Sequence, residues 1–458
     1  MTEIEDIADT EDEALDRRRV SAILDAVAAG DAGLLTDLLE PLHAADIADL
    51  LEQLDPSDRR EVLRLYSGEI DGEILSEIDE SIREEVIENL PADVLAEAVR
   101  ELDTDDVVDI LEDLEEPQQE IILSALEDAD RVAVEQALSY PDYSAGRLMQ
   151  REVVVAPEHW TVGEAIDHLR GAEWLPDQFY HVILVDPRMK PRGYVTLGRM
   201  LSSRRDIALR DLMEDSFRTV RATEEEADVA YIFTQYHLIS LPVVDENDRL
   251  VGVITIDDAM TVLDEEHEED MLRMAGVGDE ASLSDSVAEA AKGRAVWLFV
   301  NLLTAILASL VIDLFADTID QMVALAVLMP IVASMGGNAG TQTMTVAVRA
   351  LATRDLTAQN ALRIVRREIA VGAINGMAFG LVMALVAGFW FGVPMLAGVI
   401  GLAMVLTLVA AALGGIVIPM ALERFDIDPA LASGPFVTTV TDVVGFFAFL
   451  GLASWLLL

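Results

Sequence analysis

The chain has 458 residues, with 83 acids against 31 bases, a formal charge of -52 and no cysteine. Nucleic acid is excluded as a partner, because phosphate binding needs a basic face; the missing cysteines exclude disulfide and thiolate chemistry. From Ala295 onward nine acids stand against six bases, so residues 1–294 carry -49 by difference. Such a half suits metal cations. With Lys190 and Lys292 as the only lysines, it also fits a salty cytoplasm.

Residues 1–17 are acidic, poor in large apolar groups and expected to be a disordered tail. No basic patch followed by an apolar run marks a signal peptide, so the N-terminus is expected in the cytoplasm. From 18 to 138 leucine, isoleucine and alanine recur at helical spacing, as at Ile47, Leu50, Leu51 and Leu54. Asp55-Pro56-Ser57 and Leu90-Pro91-Ala92-Asp93 break one helix and start the next. His43 to Glu52 loosely repeats in Asp105 to Glu112, which predicts stacked helix pairs, an all-α superhelical N-domain.

After a linker at Ser139 to Gly146 the pattern changes, and residues 139–263 alternate β-rich runs with helices. Val153-Val-Val-Ala, His181-Val-Ile-Leu-Val and Gly193-Tyr-Val-Thr belong to a unit over 139–210. Ser216-Phe-Arg-Thr-Val, Ser240-Leu-Pro-Val-Val and Leu250-Val-Gly-Val-Ile-Thr belong to a second, over 211–263. Asp257 to Gly276 then predicts a helix, within a connecting segment taken as 264–292. Glu265, Glu268 and Glu269 lie at i, i+3 and i+4, on one face of it. Their mutual repulsion eases if divalent cations bridge them to a neighbouring domain.

Residues 293–458 predict an all-α membrane domain of five spans: Ala295–Phe315, Met322–Val348, Ile369–Phe391, Pro394–Leu422 and Pro435–Leu458. Asp317 and Asp320 mark a short loop after the first span. Arg349, Arg354, Arg363, Arg366 and Arg367 crowd the loop after the second, which places that loop in the cytoplasm. Lys292 and Arg294 agree, two crossings earlier, and an odd number of spans puts the C-terminus outside.

Two stretches are expected to meet inside the membrane: Pro330 to Gln342, and Ser433 to Gly445 with Asp442 mid-span. A carboxylate at that depth is costly unless it faces water, a partner or an ion. Pro330 frees a backbone carbonyl, Gly336 and Gly340 have close-packing spacing, and Asn338 and Gln342 add side-chain oxygens. Oxygen ligands beside one acid suit a hard cation such as Mg²⁺, which keeps several waters and is then held mainly through them.

The tandem units resemble a pair of cystathionine-β-synthase-type (CBS) modules, most closely over Leu241 to Asp258. That resemblance implies that Thr255 and Asp258 hold a nucleotide ribose, such as that of ATP. The first unit reads Thr196-Leu-Gly-Arg199 and lacks the acid. The whole order of parts resembles the MgtE family of magnesium transporters. Pro330, Gly337, Asn338, Gly340 and Gln342 match its second span, and Asp428-Pro-Ala-Leu with Thr441-Asp-Val-Val-Gly445 its last. The resemblance implies a homodimer in the plasma membrane with its pore between subunits. Asp442 would bind hydrated Mg²⁺ there, and Asp428 would sit at the cytoplasmic end of the same span. It implies regulatory Mg²⁺ at Glu265, Glu268, Glu269 and Asp257; Asp105, in the acidic repeat, is taken with them. No phosphate-binding loop is present, so transport, rather than an enzymatic reaction, would run on the ion gradient. Rival expectations are a non-conducting Mg²⁺ or nucleotide sensor, and an aspartyl protease pairing Asp313 with Asp442. The last fails on depth, since Asp313 falls near the end of its span.

Overall fold

The computed structural model describes residues 15–112, 114, 116–172, 174–176, 178–214, 217–278, 281, 287–425 and 427–457. Most of the acidic tail therefore lies outside the described residues, as does Ser216. The chain divides into two compact units, 1–266 and 267–458.

The first unit opens with short helices running from Arg17–Ala29 to Asp128–Ala137. Each turns one apolar stripe inward, and Ile47, Leu50 and Leu51 are sealed from solvent along with Leu35, Leu63 and Ile110. Part of the acidic charge starts these helices. Asp16, Asp31, Asp71 and Asp79 are N-caps whose carboxylates accept backbone N–H bonds. A second repeated device closes them. Arg59 donates from Nε to Leu51 O at 2.8 Å and from Nη2 to Leu54 O at 3.0 Å. Gln119 donates to Leu111 O and Leu114 O at the same spacings. Arg83 donates to Ile78 O, again five residues back. Buried or half-buried polar heads thus satisfy the open carbonyls at three helix ends, where an apolar residue would leave them unpaired.

The tandem modules follow in the expected order. In each, a short strand pairs in parallel with a second, which pairs antiparallel with a third: β1 (Val155–Pro157), β2 (His181–Val185) and β3 (Pro191–Thr196), then β4 (Val220–Arg221), β5 (Ser240–Val244) and β6 (Leu250–Thr255). Strand β4 is shorter than the sequence suggests. Ile183 and Val185 share a small core with Val253, which joins the two sheets.

The connecting helix is continuous over Ile256–Ala275. It ends where Gly276 takes φ of +69°, a conformation that costs a side chain strain. Five helices of membrane length appear among the described residues: Val287–Asp313, Ala324–Ala352, Ala361–Phe391, Pro394–Arg424 and Gly434–Leu456, the last within the helix Pro429–Leu456. The expected loop at Asp317 and Asp320 is instead a helix, Ala316–Gln321, because Phe315 and Ile319 pack into the membrane core. The third and fourth spans approach closely through glycine. A Cβ on Gly372 would lie 2.7 Å from Leu408 O, and one on Gly380 2.6 Å from Gly401 O.

Candidate functional site

The glycines of the second span divide into two sets. A Cβ on Gly336 would strike Thr407 Cγ2 of the fourth span at 2.7 Å, and one on Gly340 would strike Val437 Cγ1 of the fifth at 2.7 Å. These two are packing glycines. Gly337, one residue on, has nothing within 4 Å of its Cβ position. It belongs to the other face, where Ser334, Asn338, Thr341, Gln342 and Thr345 are all exposed. Asn338 Nδ2 donates to Ser334 Oγ at 3.4 Å, and Gln342 follows one turn later. Pro330 is exposed and sits inside the unbroken helix.

Asp442 is half-buried on the fifth span. Its neighbour Thr441 is fully buried between the packing glycines, 3.5 Å from the Cβ position of Gly336 and 3.0 Å from that of Gly340. That register fixes where Asp442 leaves the helix. The threonines around it send their hydroxyls to backbone carbonyls: Thr438 to Gly434 O, Thr439 to Pro435 O and Thr441 to Thr438 O. They therefore make no claim on the carboxylate.

At the other end of the fifth span Asp428 is the N-cap, accepting from Ala430 N at 2.7 Å through Oδ1. Its Oδ2 is shut off from water and accepts no well-aligned hydrogen bond, yet lies 3.2 Å from Arg273 Nη1. Arg273 also holds Glu269 at 2.7 Å. Asp270 joins this group, its carboxyl raised first by burial and then by Asp428. Nothing in the sequence singles out Arg273, one arginine on a helix rich in acids.

The first unit gathers acids twice. Asp105 is buried, and its carboxyl is held well above the usual range by burial, then by Asp258, Asp106 and Asp103. Asp106 is pushed up to about 7, first by burial and then by Asp258 and Asp103. Asp258 is pushed up to about 6 by burial against the opposing hydrogen bond from Thr255, with Asp257 adding repulsion. In the second group Glu226 rises to about 7 through burial, then through Glu265, Glu112 and Glu266. Uncharged donors flank the first group: Thr104 Oγ1 donates to Glu152 at 2.8 Å, and Gln150 Nε2 to Asp103 at 3.2 Å. No three His, Asp or Glu side chains among the described residues form a ready metal cage.

The predicted regulatory residues are thus brought together only in part. Asp105, Asp257 and Asp258 converge; Glu265 faces Glu226; Glu269 is engaged by Arg273; Glu268 is exposed. Asp106 and Glu226 went unnoticed in the sequence, where nothing local distinguishes them from other surface acids. Thr255 and Asp258 act on each other: Thr255 Oγ1 donates to Asp258 Oδ2 at 2.5 Å at the start of the connecting helix. Thr407 was also missed. It is fully buried, and its hydroxyl has no hydrogen-bond partner among the described residues.

A family model described as a divalent cation transporter matches residues 329–452, the stretch holding both membrane motifs. Models of the MgtE intracellular N domain and of the CBS domain match 42–143, and 145–206 with 209–265. With five membrane-length helices, this defines a multi-pass membrane protein of the divalent-cation transporter class. Magnesium transporter MgtE of Bacillus subtilis is 30% identical over 322 residues, 70% of this chain and 71% of its own. That of Thermus thermophilus is 32% identical over 329 residues, 71% of this chain and 73% of its own. The chain belongs to the MgtE family of magnesium transporters. Among solved structures, the cytosolic domain of the Mg²⁺ channel MgtE in complex with ATP is 30% identical, with a TM-score of 0.49. It covers 53% of this chain and 99% of that one.

Proposed function

We propose that this protein carries Mg²⁺ across the plasma membrane, down its electrochemical gradient, and that rising cytosolic Mg²⁺ shuts it. The observation that carries the first half is the polar stripe of the second span. Ser334, Asn338, Thr341 and Gln342 point away from the protomer's own helices. Lipid is a poor solvent for such a stripe, so it faces a water-filled path. A second copy placed around a twofold axis would close that path and pair two Asp442 carboxylates. A hydrated Mg²⁺ fits there, since the ion keeps its waters and amide, hydroxyl and carboxylate oxygens hold them from outside. Gly337 leaves room for those waters on the same face. The N-terminus is inside and the C-terminus outside, by the arginine-rich loop.

The second half rests on the two acidic groups. The carboxyls of Asp106 and Glu226 are raised to about 7 first by burial and then by repulsion from the neighbouring carboxylates. Divalent cations relieve that repulsion and favour the arrangement that brings the acids together. Glu265, Glu268 and Glu269 on the connecting helix, with Asp257 and Asp105, supply the ligands. The test is Mg²⁺ flux into proteoliposomes with and without Asp442. Flux through wild type and none through Asp442→Ala supports transport; a wild type that binds Mg²⁺ and passes none makes it a sensor.

A further inference from the structure

We propose that Arg273 is a tethered counter-ion that latches the connecting helix onto the cytoplasmic end of the fifth span by occupying Asp428. The inference deepens the gating just proposed and rests on it.

The argument begins with the cap. Asp428 must stay at the helix start, because its Oδ1 holds Ala430 N at 2.7 Å. The cap fixes the carboxylate and aims its other oxygen. That oxygen, Oδ2, is sealed from water, so it needs a cation or a donor. What it meets is Arg273 Nη1 at 3.2 Å, from the last turn of the connecting helix. The contact is ionic rather than a well-aligned hydrogen bond, as the geometry leaves Oδ2 without one. Arginine suits the post, being always charged and only weakly hydrated.

Glu269 fixes the other side of the guanidinium at 2.7 Å, one helical turn earlier. Asp270 crowds the same place. One fixed positive charge therefore stands among three acids, Glu269, Asp270 and Asp428. The packing agrees: Met274, next along, lies in a small core with Ala430 and Val437 of the fifth span and Met344 and Val348 of the second. The helix end thus grips both pore-lining helices through apolar contact, and Arg273 adds the charge.

The functional consequence follows from competition. While Arg273 sits on Asp428, that acid is neutralised and cannot draw a second cation. When the connecting helix leaves, Asp428 is bared at the ion path with no counter-charge and attracts Mg²⁺. The arginine therefore favours the shut arrangement at every Mg²⁺ concentration, and regulatory Mg²⁺ has correspondingly less to supply.

The test uses the full chain in lipid nanodiscs and proteoliposomes, with Arg273→Gln and Arg273→Lys. Hydrogen exchange is read first, in EDTA, over residues 268–277. Arg273→Gln should speed exchange there about tenfold, as local opening becomes easier, while Arg273→Lys stays close to wild type; no change in Arg273→Gln overturns the latch. Asp428→Asn keeps a good cap but loses the charge. It should add nothing further in the Arg273→Gln background, and full additivity would overturn the pairing. Flux is read second. Arg273→Gln should need about fivefold more internal Mg²⁺ for half-closure, the scale of one partly buried ion pair. Faster exchange with an unmoved half-closing concentration overturns the gating role. If wild-type vesicles pass no Mg²⁺, the transport proposal falls, and exchange alone decides whether the latch exists.

Discussion

Acids in the two halves of this molecule are used in opposite ways. In the first unit they are many and they crowd: Asp105, Asp106 and Asp258 press together, and Glu226 meets Glu265, Glu112 and Glu266. In the membrane unit they are few: Asp442 lies mid-span, and Asp428 caps the same helix, where an arginine stands between it and Glu269 and offsets the crowding of Asp270. Crowding makes a group of carboxylates responsive, because any cation or proton that relieves repulsion shifts the balance between arrangements. Isolation makes a single carboxylate a fixed attractor. The closure by Mg²⁺ proposed above draws on both, the crowded acids of the first unit and Asp442 of the second.

The largest effect expected from breaking that division is at Asp442. Asp442→Ala should lower Mg²⁺ flux by at least about 100-fold, the scale of losing a charge in a low-dielectric path. It should leave the folded protein intact on size exclusion, since among the described residues no hydrogen bond ties the carboxylate into the bundle. Asp442→Asn separates charge from shape, and normal flux in it would remove electrostatic attraction from the account.

Next comes the crowded side. Replacing Glu265, Glu268 and Glu269 together by alanine should leave flux on at internal Mg²⁺ levels that silence wild type. The half-closing concentration should rise about tenfold, the scale of typical allosteric coupling. Closure at the wild-type concentration would mean that the acidic helix is merely solvated, with salt adaptation the better account of its charge.

The division between fixed and crowded acids was only half visible in the sequence. The membrane motifs were legible because lipid tolerates few polar groups, so Asn338, Gln342 and Asp442 stand out. The alternation of strands and helices gave the tandem modules, because each strand of β2 and β5 reads as a continuous apolar run. What escaped depends on distance along the chain. Asp106 meets Asp258 only after the helical repeat folds back on the second module. The repeat itself was matched through His43 and Asp105. Its working parts are Arg59, Arg83 and Gln119, and those differ in residue type while binding carbonyls at like offsets. The helix Ala316–Gln321 is too short to show a period, and Arg273 is one base in an acidic helix.

Protons should mimic the cation at the crowded groups. The folded values, about 7 for Asp106 and Glu226 and about 6 for Asp258, lie above the ordinary 3.8 of an aspartate and 4.5 of a glutamate. A raised folded value means stability fully present below about pH 4 and lost as pH rises through about 6 to 7. In EDTA, then, the first unit should melt at a higher temperature at pH 6 than at pH 8, and saturating Mg²⁺ should flatten the difference. Asp106→Asn should recover on the order of 2 kcal/mol at pH 8 without Mg²⁺. A melting temperature independent of pH over this range would show that neither burial nor repulsion disfavours the charged forms of these acids.

The smallest expected effect lies where neither kind of acid is involved. Thr407 is fully buried among Gly336, Thr441 and Gly445, with its methyl against the Gly336 notch and its hydroxyl unpartnered. A buried hydroxyl without a partner costs about 1–3 kcal/mol relative to an apolar group of the same shape. Thr407→Val keeps the branching and the methyl that fills the notch, so the glycine packing should survive. The variant should melt at the wild-type temperature or a few degrees above it, and its flux should stay within about twofold of wild type, the variation expected of a near-isosteric replacement. Thr407→Ala empties the notch instead and should destabilise the bundle by about 1–2 kcal/mol through the cavity left beside Gly336. Should Thr407→Val lose flux while its melting temperature holds, the hydroxyl serves the ion path through a bound water. The division between packing face and polar face of the second span would then have to be redrawn to include the fourth.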